Sequence, residues 1–384
     1  MPKRWSAIFS VFAAVWILFV ITFNLEIIVT SNELGDFGSF VAAGIKFNEG
    51  ANPYDSDSPY IFEVDFPLVG AGGKMPNLNP PVSLLFFAPL ANADPMSALN
   101  AWRVVSFGLF LASFLLLARE YKPRPLRLLW GFALAGLWHT LGLGQIYAPL
   151  LLLVTLAWLS YRTDKSIAAG IFIGLLVSIK PNFVLWLFLL AMRREWKITI
   201  SAAVVILACA ALPLTQMQPE VYVQWLEASR VDGRVLSMPG NGSLIGLTSR
   251  MNLPALGIVL GLALTAITAL AVVRAREGRP APDGVSAAGI FLSLLVSPIT
   301  WTGYTILALP YFLSQKRWDA ATLIAAFILT VPFNFTMYFY YYFGKFNFIF
   351  WGWWYGIALT LCAGVTIAAL WQRVRMAAAG DAGR

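Results

Sequence analysis

The stretch "WSAIFSVFAAVWILFVITFNLEII", residues 5–28, decides the fold class of this chain. It is 24 residues long and contains one charged side chain, that of Glu26. About 20 consecutive apolar residues are needed for a helix to cross the ~30 Å hydrocarbon core of a bilayer. The run is too long for the apolar part of a cleaved signal peptide, which spans about 7–15 residues, and it lacks a small-residue cleavage site. It therefore predicts a membrane anchor that the protein retains.

Similar apolar runs recur through all 384 residues. Hydrophobic residues make up 59% of the chain and charged residues 12%, against about 45–50% and about 25% in soluble domains. Because helices satisfy their own backbone hydrogen bonds in lipid, we interpret the chain as one all-α polytopic membrane domain, 1–384. The runs predict about twelve crossings, at 5–28, 97–118, 126–142, 146–161, 166–180, 182–193, 198–213, 254–274, 285–300, 303–315, 318–334 and 350–371.

The basic residues indicate how these crossings are oriented. Cytoplasmic loops are enriched in Lys and Arg. With the N-terminus inside, the predicted inner loops and Arg384 hold 19 of the 27 basic residues. The pattern predicts a multi-pass protein of the cell (inner) membrane with both termini cytoplasmic. Two large loops, 29–96 and 214–253, then lie outside between a first module (1–213) and C-terminal helices (254–384). The apolar piece 81–90 is expected to dip into the outer leaflet, since a full crossing would reverse every later loop.

Several functions are disfavoured by what the chain contains. The inner loops are short and have neither a P-loop nor a glycine-rich nucleotide fingerprint, so no nucleotide is expected to bind there. The net charge of +8 follows from the loop pattern and does not indicate nucleic acid. His139 is the only histidine, and both cysteines lie in apolar runs. We therefore expect no metal and no other cofactor.

A carboxylate follows the first crossing in "NELGDFGSF", residues 32–40. Asp36 is expected to be partly buried at the membrane boundary, and a carboxylate in such surroundings is a candidate general base. Ordinary loop solvation is the alternative. Gly35 permits a turn that other residues resist. Phe37 and Phe40 are expected to pack into the outer leaflet and hold the carboxylate at headgroup depth.

Two cations are candidates for binding a phosphate at the same face. Lys180 lies at the tip of a short predicted hairpin, "SIKPNF", and an ionisable residue at membrane depth suggests a function. Arg103 lies near the outer end of the second crossing, where extension of its side chain to the interface is the favoured explanation. Two other tight outer turns, "WHTLGLGQIY" (138–147) and "SPITWTGY" (297–304), carry further polar side chains.

An ordered set of motifs resembles glycosyltransferase family 87, the polyprenol-phosphate-mannose-dependent mannosyltransferases of the GT-C superfamily. The motifs include "GDFGSFVAAGIKFNEGANPYD", "NPPVSLLFFAPLA", "GLGQIYAPLLLL", "LLVSIKPNF", "GNGSLIGL" and "LLVSPITW", and the resemblance covers about residues 5–315. It implies a GT-C-type fold and inverting transfer of a sugar, most often mannose, from a polyprenyl phosphate to a glycan or glycolipid acceptor outside the cell. By this resemblance Asp36 matches the catalytic base and Lys180 the phosphate-binding lysine. Gln145, Asn241 and Trp301 match substrate-binding positions of unassigned role.

One departure from the family concerns the donor site. Members often carry His after the "SPxxW" element, whereas Thr302 and Gly303 follow Trp301 here, and Tyr304 is a candidate substitute as hydrogen-bond donor. A transporter or flippase of lipid-linked sugars is the alternative function, although such folds often contain internal repeats and none is evident. A non-catalytic membrane scaffold is a third reading, one that would not need the pair of Asp36 and Lys180.

Overall fold

A computed structural model describes residues 3–31, 33–63, 73–230, 233–275, 282–343 and 345–381. Within these ranges the regular structure is helical, apart from an isolated antiparallel bridge between Glu63 and Lys74. Parts of the two predicted outer loops, 64–72 and 231–232, lie outside the described residues. The first ten α-helices are α1 (Lys3–Thr30), α2 (Asp36–Asn48), α3 (Leu84–Phe87), α4 (Pro95–Tyr121), α5 (Pro125–Phe132), α6 (Ala135–Leu143), α7 (Tyr147–Arg162), α8 (Ser166–Ile179), α9 (Val184–Met192) and α10 (Trp196–Ala211).

The second half of the described chain is also helical. Short 3₁₀ turns cover Pro81–Ser83, Ala88–Asn92, Pro181–Phe183, Leu212–Thr215 and Thr302–Ala308. The remaining α-helices are α11 (Glu220–Ala228), α12 (Gly233–Leu236), α13 (Leu244–Arg250), α14 (Pro254–Arg274), α15 (Pro282–Val296), α16 (Leu309–Ser314), α17 (Ala320–Ile328), α18 (Phe333–Tyr342), α19 (Lys345–Gly352) and α20 (Trp354–Asp381).

Six helical segments in the described ranges are long and apolar enough to cross a membrane. A seventh is obtained if α17 and α18, which meet at a bend of 85°, are counted as one broken span. The chain is thus an all-helical protein with several membrane-spanning helices, while the predicted number of twelve crossings is not confirmed. The six segments are Ser10–Thr30, Pro95–Tyr121, Pro125–Leu143, Trp196–Thr215, Pro254–Arg274 and Trp354–Arg375.

The difference arises because the helices at several other predicted crossings are short, and because the crossing predicted at 318–334 is bent between α17 and α18. The helices α7, α8 and α15 contain 16, 14 and 15 residues. At 1.5 Å per residue they are roughly 21–24 Å long, which is less than the ~30 Å hydrocarbon core. The segment Pro81–Asn92 is shorter still, in keeping with the expectation that it does not cross.

Helix α4 separates two ends of the molecule. Its 27 residues give a length of about 40 Å. Near its first turns, the indole of Trp102 donates a hydrogen bond to the backbone oxygen of Gln145 at 3.3 Å. At its last residue, the hydroxyl of Tyr121 donates to Asp283 at 3.0 Å, and Asp283 also accepts from Arg162 at 2.6 Å. The two predicted outer loops and the predicted inner loops therefore lie at opposite ends of α4.

The two large predicted outer loops contact each other at the end of the molecule where α4 begins. The indole of Trp225, on α11 of the second loop, donates to the backbone oxygen of Leu78 in the first loop at 3.2 Å. Val221 of α11 packs with Tyr54 and Leu84 of the first loop in a small buried cluster. The described parts of the two loops thus pack against each other at this end of the molecule.

The expectation that Phe37 and Phe40 pack into lipid is wrong. Phe37 is fully buried and Phe40 almost so. The Phe40 ring stacks on Phe87 with 4.4 Å between centroids, and the Phe37 ring lies 6.3 Å from Trp102. Since α3 and α4 cover this side of α2, both rings join the protein core, and Asp36 is held by protein packing instead of by lipid.

Candidate active site

Five of the seven residues singled out in the sequence line one cavity of about 220 Å³, here called the Lys180 cavity. It lies at the end of the molecule that holds both outer loops. Its walls come from the start of α2, the first outer loop, the turns between α6 and α7 and between α8 and α9, and the segment that leads into the last 3₁₀ turn. The five residues are Asp36, Gln145, Lys180, Trp301 and Tyr304.

The backbone at Gly35 places Asp36 in this cavity. Gly35 has a φ of +54°, in the left-handed region that favours glycine. A Cβ at this position would lie 2.9 Å from the side chain and 3.0 Å from the Cα of Leu143. Only glycine therefore allows the chain to turn against the end of α6, and α2 begins at the next residue. The turn predicted at Gly35 is confirmed, with Asp36 at the first position of the helix.

Gln145 reaches the Asp36 carboxylate from the turn between α6 and α7. Helix α6 ends at Gly144, whose φ is +65° and whose Cβ would lie 2.6 Å from the side chains of Leu99 and Phe37. This tight end directs the next residue toward α2, where the Gln145 amide donates a hydrogen bond to Oδ2 of Asp36. Gln145 is 6% exposed, so the bond is shielded from competing water.

The surroundings of Asp36 change its acidity. Burial raises the pKa of the Asp36 carboxyl from 3.8 to about 6, while the hydrogen bond from Gln145 and the positive charge of Lys180 oppose that rise. A carboxylate with a pKa near 6 is ionised at neutral pH and is a better proton acceptor than an ordinary aspartate. The site therefore suits a general base.

Lys180 provides the positive charge of the cavity. It follows the last residue of α8 and lies in an extended conformation before the 3₁₀ turn at Pro181. Its Nζ lies 5.8 Å from the ring centroid of Tyr147 and 5.4 Å from that of Tyr304, within cation–π range. Among the described residues no carboxylate lies within ion-pair distance of it. The ammonium group is thus positioned by aromatic faces and available to an anion.

A second cavity of about 570 Å³, here called the His139 cavity, meets the first at Asp36. Asp36, Met75 and Trp301 line both. His139 lies in its wall, with its ring edge-to-face on Phe333 at 4.9 Å. The buried Nδ1 of His139 has no hydrogen-bond partner in the part of the chain that the structure describes. The carboxylate of Asp36 therefore lies between the Lys180 cavity and the larger His139 cavity.

Two of the residues singled out in the sequence lie outside both cavities. Arg103 donates to the backbone oxygens of Leu141 and Gly142 at 3.0 and 3.1 Å, and so caps the C-terminal end of α6. Asn241 is fully buried, donates to the backbone oxygens of Leu236 and Pro298, and accepts from the amide of Thr300. These contacts show both side chains supporting the walls of the site.

The structure adds residues that sequence reasoning did not select. Asn79 lines the Lys180 cavity, is 3% exposed, and has an Oδ1 without a partner among the described residues. Tyr147 lies beneath Lys180. His139 entered the sequence argument only as evidence against a metal site. Asn79 opens the "NPPVSLL" motif and His139 and Tyr147 belong to "WHTLGLGQIY", so each belonged to a segment that had already been noted.

Comparison with known proteins identifies one family. The model of glycosyltransferase family 87 matches residues 77–298, more than half of the 384-residue chain. The matched region contains Arg103, Gln145, Lys180 and Asn241, whereas Asp36, Trp301 and Tyr304 lie beyond its ends. Comparisons with curated proteins and with solved structures give no match.

Proposed function

The chain belongs to glycosyltransferase family 87, and from this premise we propose the reaction that it catalyses. It transfers a sugar, most often mannose in this family, from a polyprenyl phosphate to a glycan or glycolipid acceptor on the outer face of the cell membrane. Asp36 is the catalytic base, and the configuration at the anomeric carbon inverts. The donor carries its own activated bond, so no metal or other cofactor takes part.

The observation that carries this proposal is the position of Asp36 between the two cavities. Lys180 gives the smaller cavity a positive charge, which suits the phosphate of the donor. Glu33 and Glu63 border the larger His139 cavity, and their negative charges disfavour a phosphate there. The donor phosphate therefore belongs beside Lys180 and the acceptor in the His139 cavity, with the sugar between them near Asp36.

The surface next to Lys180 suits the hydrocarbon part of the donor. Helix α9 begins four residues after Lys180, and its Val184 and Phe188 are 48% and 40% exposed. Residues four apart lie on the same face of a helix, so the two side chains form an apolar strip leading away from the cavity. A polyprenyl chain lying on this strip keeps its tail in lipid while its phosphate reaches Lys180.

In the proposed chemical step, Asp36 acts on the acceptor hydroxyl and Lys180 on the leaving phosphate. Asp36 accepts the proton of an acceptor hydroxyl as that oxygen forms a bond to the anomeric carbon from the side opposite the phosphate. The bond from the anomeric carbon to the phosphate oxygen breaks, and its electron pair leaves with the polyprenyl phosphate. Lys180 stabilises the charge that grows on this oxygen. Because phosphate is a good leaving group, a strong general acid is not required.

The Lys180 cavity also suits recognition of the sugar. The Oδ1 of Asn79 is a buried acceptor without a partner among the described residues, and burying such a group unpaired is costly. A sugar hydroxyl donating to it would remove that cost. Trp301 borders both cavities and offers an aromatic surface to a sugar ring. Asn79 and Trp301 are thus candidate donor-sugar contacts, while Tyr304 and Tyr147 hold Lys180.

Transport of the lipid-linked sugar without reaction remains the alternative, and reconstitution separates the two functions. The purified protein is placed in sealed liposomes with polyprenyl phosphate mannose and a lipid extract from cells that lack the gene, which supplies unmodified acceptor. Transfer releases polyprenyl phosphate and an equal amount of glycosylated acceptor, both measured by mass spectrometry. A transporter moves the donor between leaflets and leaves it intact, which would contradict the proposal. Donors with other sugars, assayed in parallel, test the choice of mannose.

A further inference from the structure

An apolar groove of about 520 Å³ lies outside the two cavities and extends to Arg124, just beyond the C-terminal end of α4. Its walls are formed by the first half of α1, by α5 and by α17. A hydrogen bond of 2.9 Å from the indole of Trp16 to the hydroxyl of Thr330 closes one side. Phe12 and Phe327 on its walls are 71% and 54% exposed. The groove therefore opens on the surface that these helices present to lipid.

Two arginines stand at one end of this groove, Arg124 just before α5 and Arg127 in its first turn. The guanidinium of Arg127 lies over the Trp318 ring at 4.9 Å, and donates to the backbone oxygens of Gln315 and Lys316. Arg124 is exposed, and no hydrogen bond or ion pair engages its side chain in the described ranges.

The nearest carboxylates do not neutralise these arginines. Glu120 and Asp283 both pair with Arg162, at 2.9 and 2.6 Å. Asp319 accepts from the backbone amide of Thr322 and so caps the start of α17. Neither arginine thus forms an ion pair within the described residues, and both lie at the end of an apolar groove that faces lipid. An anion attached to a hydrocarbon chain is complementary to both features.

We propose that this groove is a binding site for an anionic phospholipid, whose phosphate headgroup contacts Arg124 and Arg127 and whose acyl chain lies between α1, α5 and α17. By the distribution of basic residues, this end is cytoplasmic, so the lipid comes from the inner leaflet. Arg124 lies beyond the C-terminal end of α4, whereas Asp36 lies near the first turns of α4, and the site is independent of the proposed sugar transfer. A phospholipid there holds α1 against α5 and α17.

Native mass spectrometry of the full chain tests the site. The protein is equilibrated in nanodiscs with equal amounts of phosphatidylglycerol and phosphatidylcholine, released, and the retained lipids are counted. We expect the wild-type protein to retain phosphatidylglycerol preferentially. One arginine near a phosphate contributes about 1 kcal/mol, so Arg124→Gln should lower the preference about fivefold. Ala13→Trp, which fills part of the groove, should lower retention of both lipids.

Two matched variants act as controls. Arg194→Gln removes an arginine that is also exposed and has no side-chain partner among the described residues, and Ala266→Trp adds the same bulk to an exposed face of α14. Both should retain lipid as the wild type does. Equal retention of the two lipids by the wild type, or an unchanged preference in Arg124→Gln, would overturn the proposal. Retention of a polyprenyl phosphate in place of phospholipid, when both are offered, would overturn the choice of lipid.

Discussion

The amide of Gln145 donates a hydrogen bond to Oδ2 of Asp36, joining the start of α2 to the turn between α6 and α7. These residues are 109 positions apart in the chain. The bond uses one carboxylate oxygen and leaves the other for a substrate. It also favours the ionised form of Asp36 against the effect of burial. Gln145 is therefore a positioning residue whose loss should change the pH dependence of the reaction.

Replacing Gln145 should move the pH profile of transfer. In the wild type the pKa of Asp36 is about 6, and a base works only when ionised, so activity should fall tenfold per pH unit below 6. Gln145→Leu removes the hydrogen bond that lowers this pKa, so the acid limb should move to higher pH and the plateau should fall. Gln145→Glu adds a negative charge beside Asp36 and should move the limb further. Initial rates between pH 4.5 and 9 measure both, and an unmoved limb in both variants would argue against this role.

Lys180→Ala should raise the KM for the polyprenyl phosphate donor at least tenfold. The lysine supplies the positive charge of its cavity, and removing a group that stabilises developing charge commonly costs about 10²–10³ in kcat. Lys180→Arg keeps the charge and should recover part of both losses. Its guanidinium is larger than an ammonium group and spreads its charge over a plane, so the charge would not occupy the same point and recovery should be incomplete. Unchanged donor KM in Lys180→Ala would move the phosphate away from this residue.

Replacing His139 tests whether the acceptor binds in the His139 cavity. His139→Ala should raise the KM for the acceptor, supplied as a lipid extract of cells lacking the gene, by about two- to tenfold, the effect of losing one hydrogen bond. The donor KM should stay at its wild-type value. Lys180→Ala serves as the reciprocal control, since of the two KM values it should change only that of the donor. If both variants change the same KM, the assignment of one substrate to each cavity is wrong.

Much of this arrangement was predictable from local sequence, and the rest depends on how distant segments pack. Gly35 and Asp36 were found because the turn and the boundary carboxylate are visible in nine residues. His139 and Asn79 were missed as site residues because their exposure to a cavity depends on α18 and the first loop, far along the chain. Arg103 was selected from the sequence but lies outside both cavities. A cation near the outer end of a helix gives the same sequence pattern whether it binds a phosphate or caps the end of α6. The twelve predicted crossings were counted from apolar runs, which do not show that the run 318–334 bends by 85° between α17 and α18.

The orientation in the membrane is a separate prediction. Reporter fusions after Glu63 and after Glu227 should show extracytoplasmic activity, since both sites lie in the loops beside the cavities. A fusion after Lys122, at the far end of α4, should show cytoplasmic activity because the basic loops lie there. Reversed signals would place the candidate site on the cytoplasmic face, where a nucleotide-linked donor would have to be considered.

Asp36→Asn should abolish most transfer without unfolding the protein. The substitution keeps the shape and the hydrogen-bonding partner but removes basicity, and a positioned base contributes roughly 10²–10⁴-fold to the rate. Because burial raises the pKa of Asp36 above its unfolded value, the folded protein binds more protons than the unfolded chain between about pH 4 and 6. Its stability therefore falls as the pH rises through that window. A neutral Asn escapes this penalty, so at pH 7 the variant should melt at the wild-type temperature or above it. Asp36→Glu extends the side chain by one methylene and should restore little activity.

Two carboxylates provide the controls for that experiment. Glu33 borders the His139 cavity and is the nearest alternative base in the sequence, while Asp55 is exposed and accepts from the backbone amide of Asp57 at 3.1 Å. Glu33→Gln and Asp55→Asn should both keep most of the transfer rate, measured as polyprenyl phosphate released per minute. Residual transfer in Asp36→Asn should also lose the acid limb near pH 6, because the group that titrates there is gone. Near-normal transfer by Asp36→Asn together with an inactive Glu33→Gln would assign the base to Glu33 and move the reacting hydroxyl deeper into the His139 cavity.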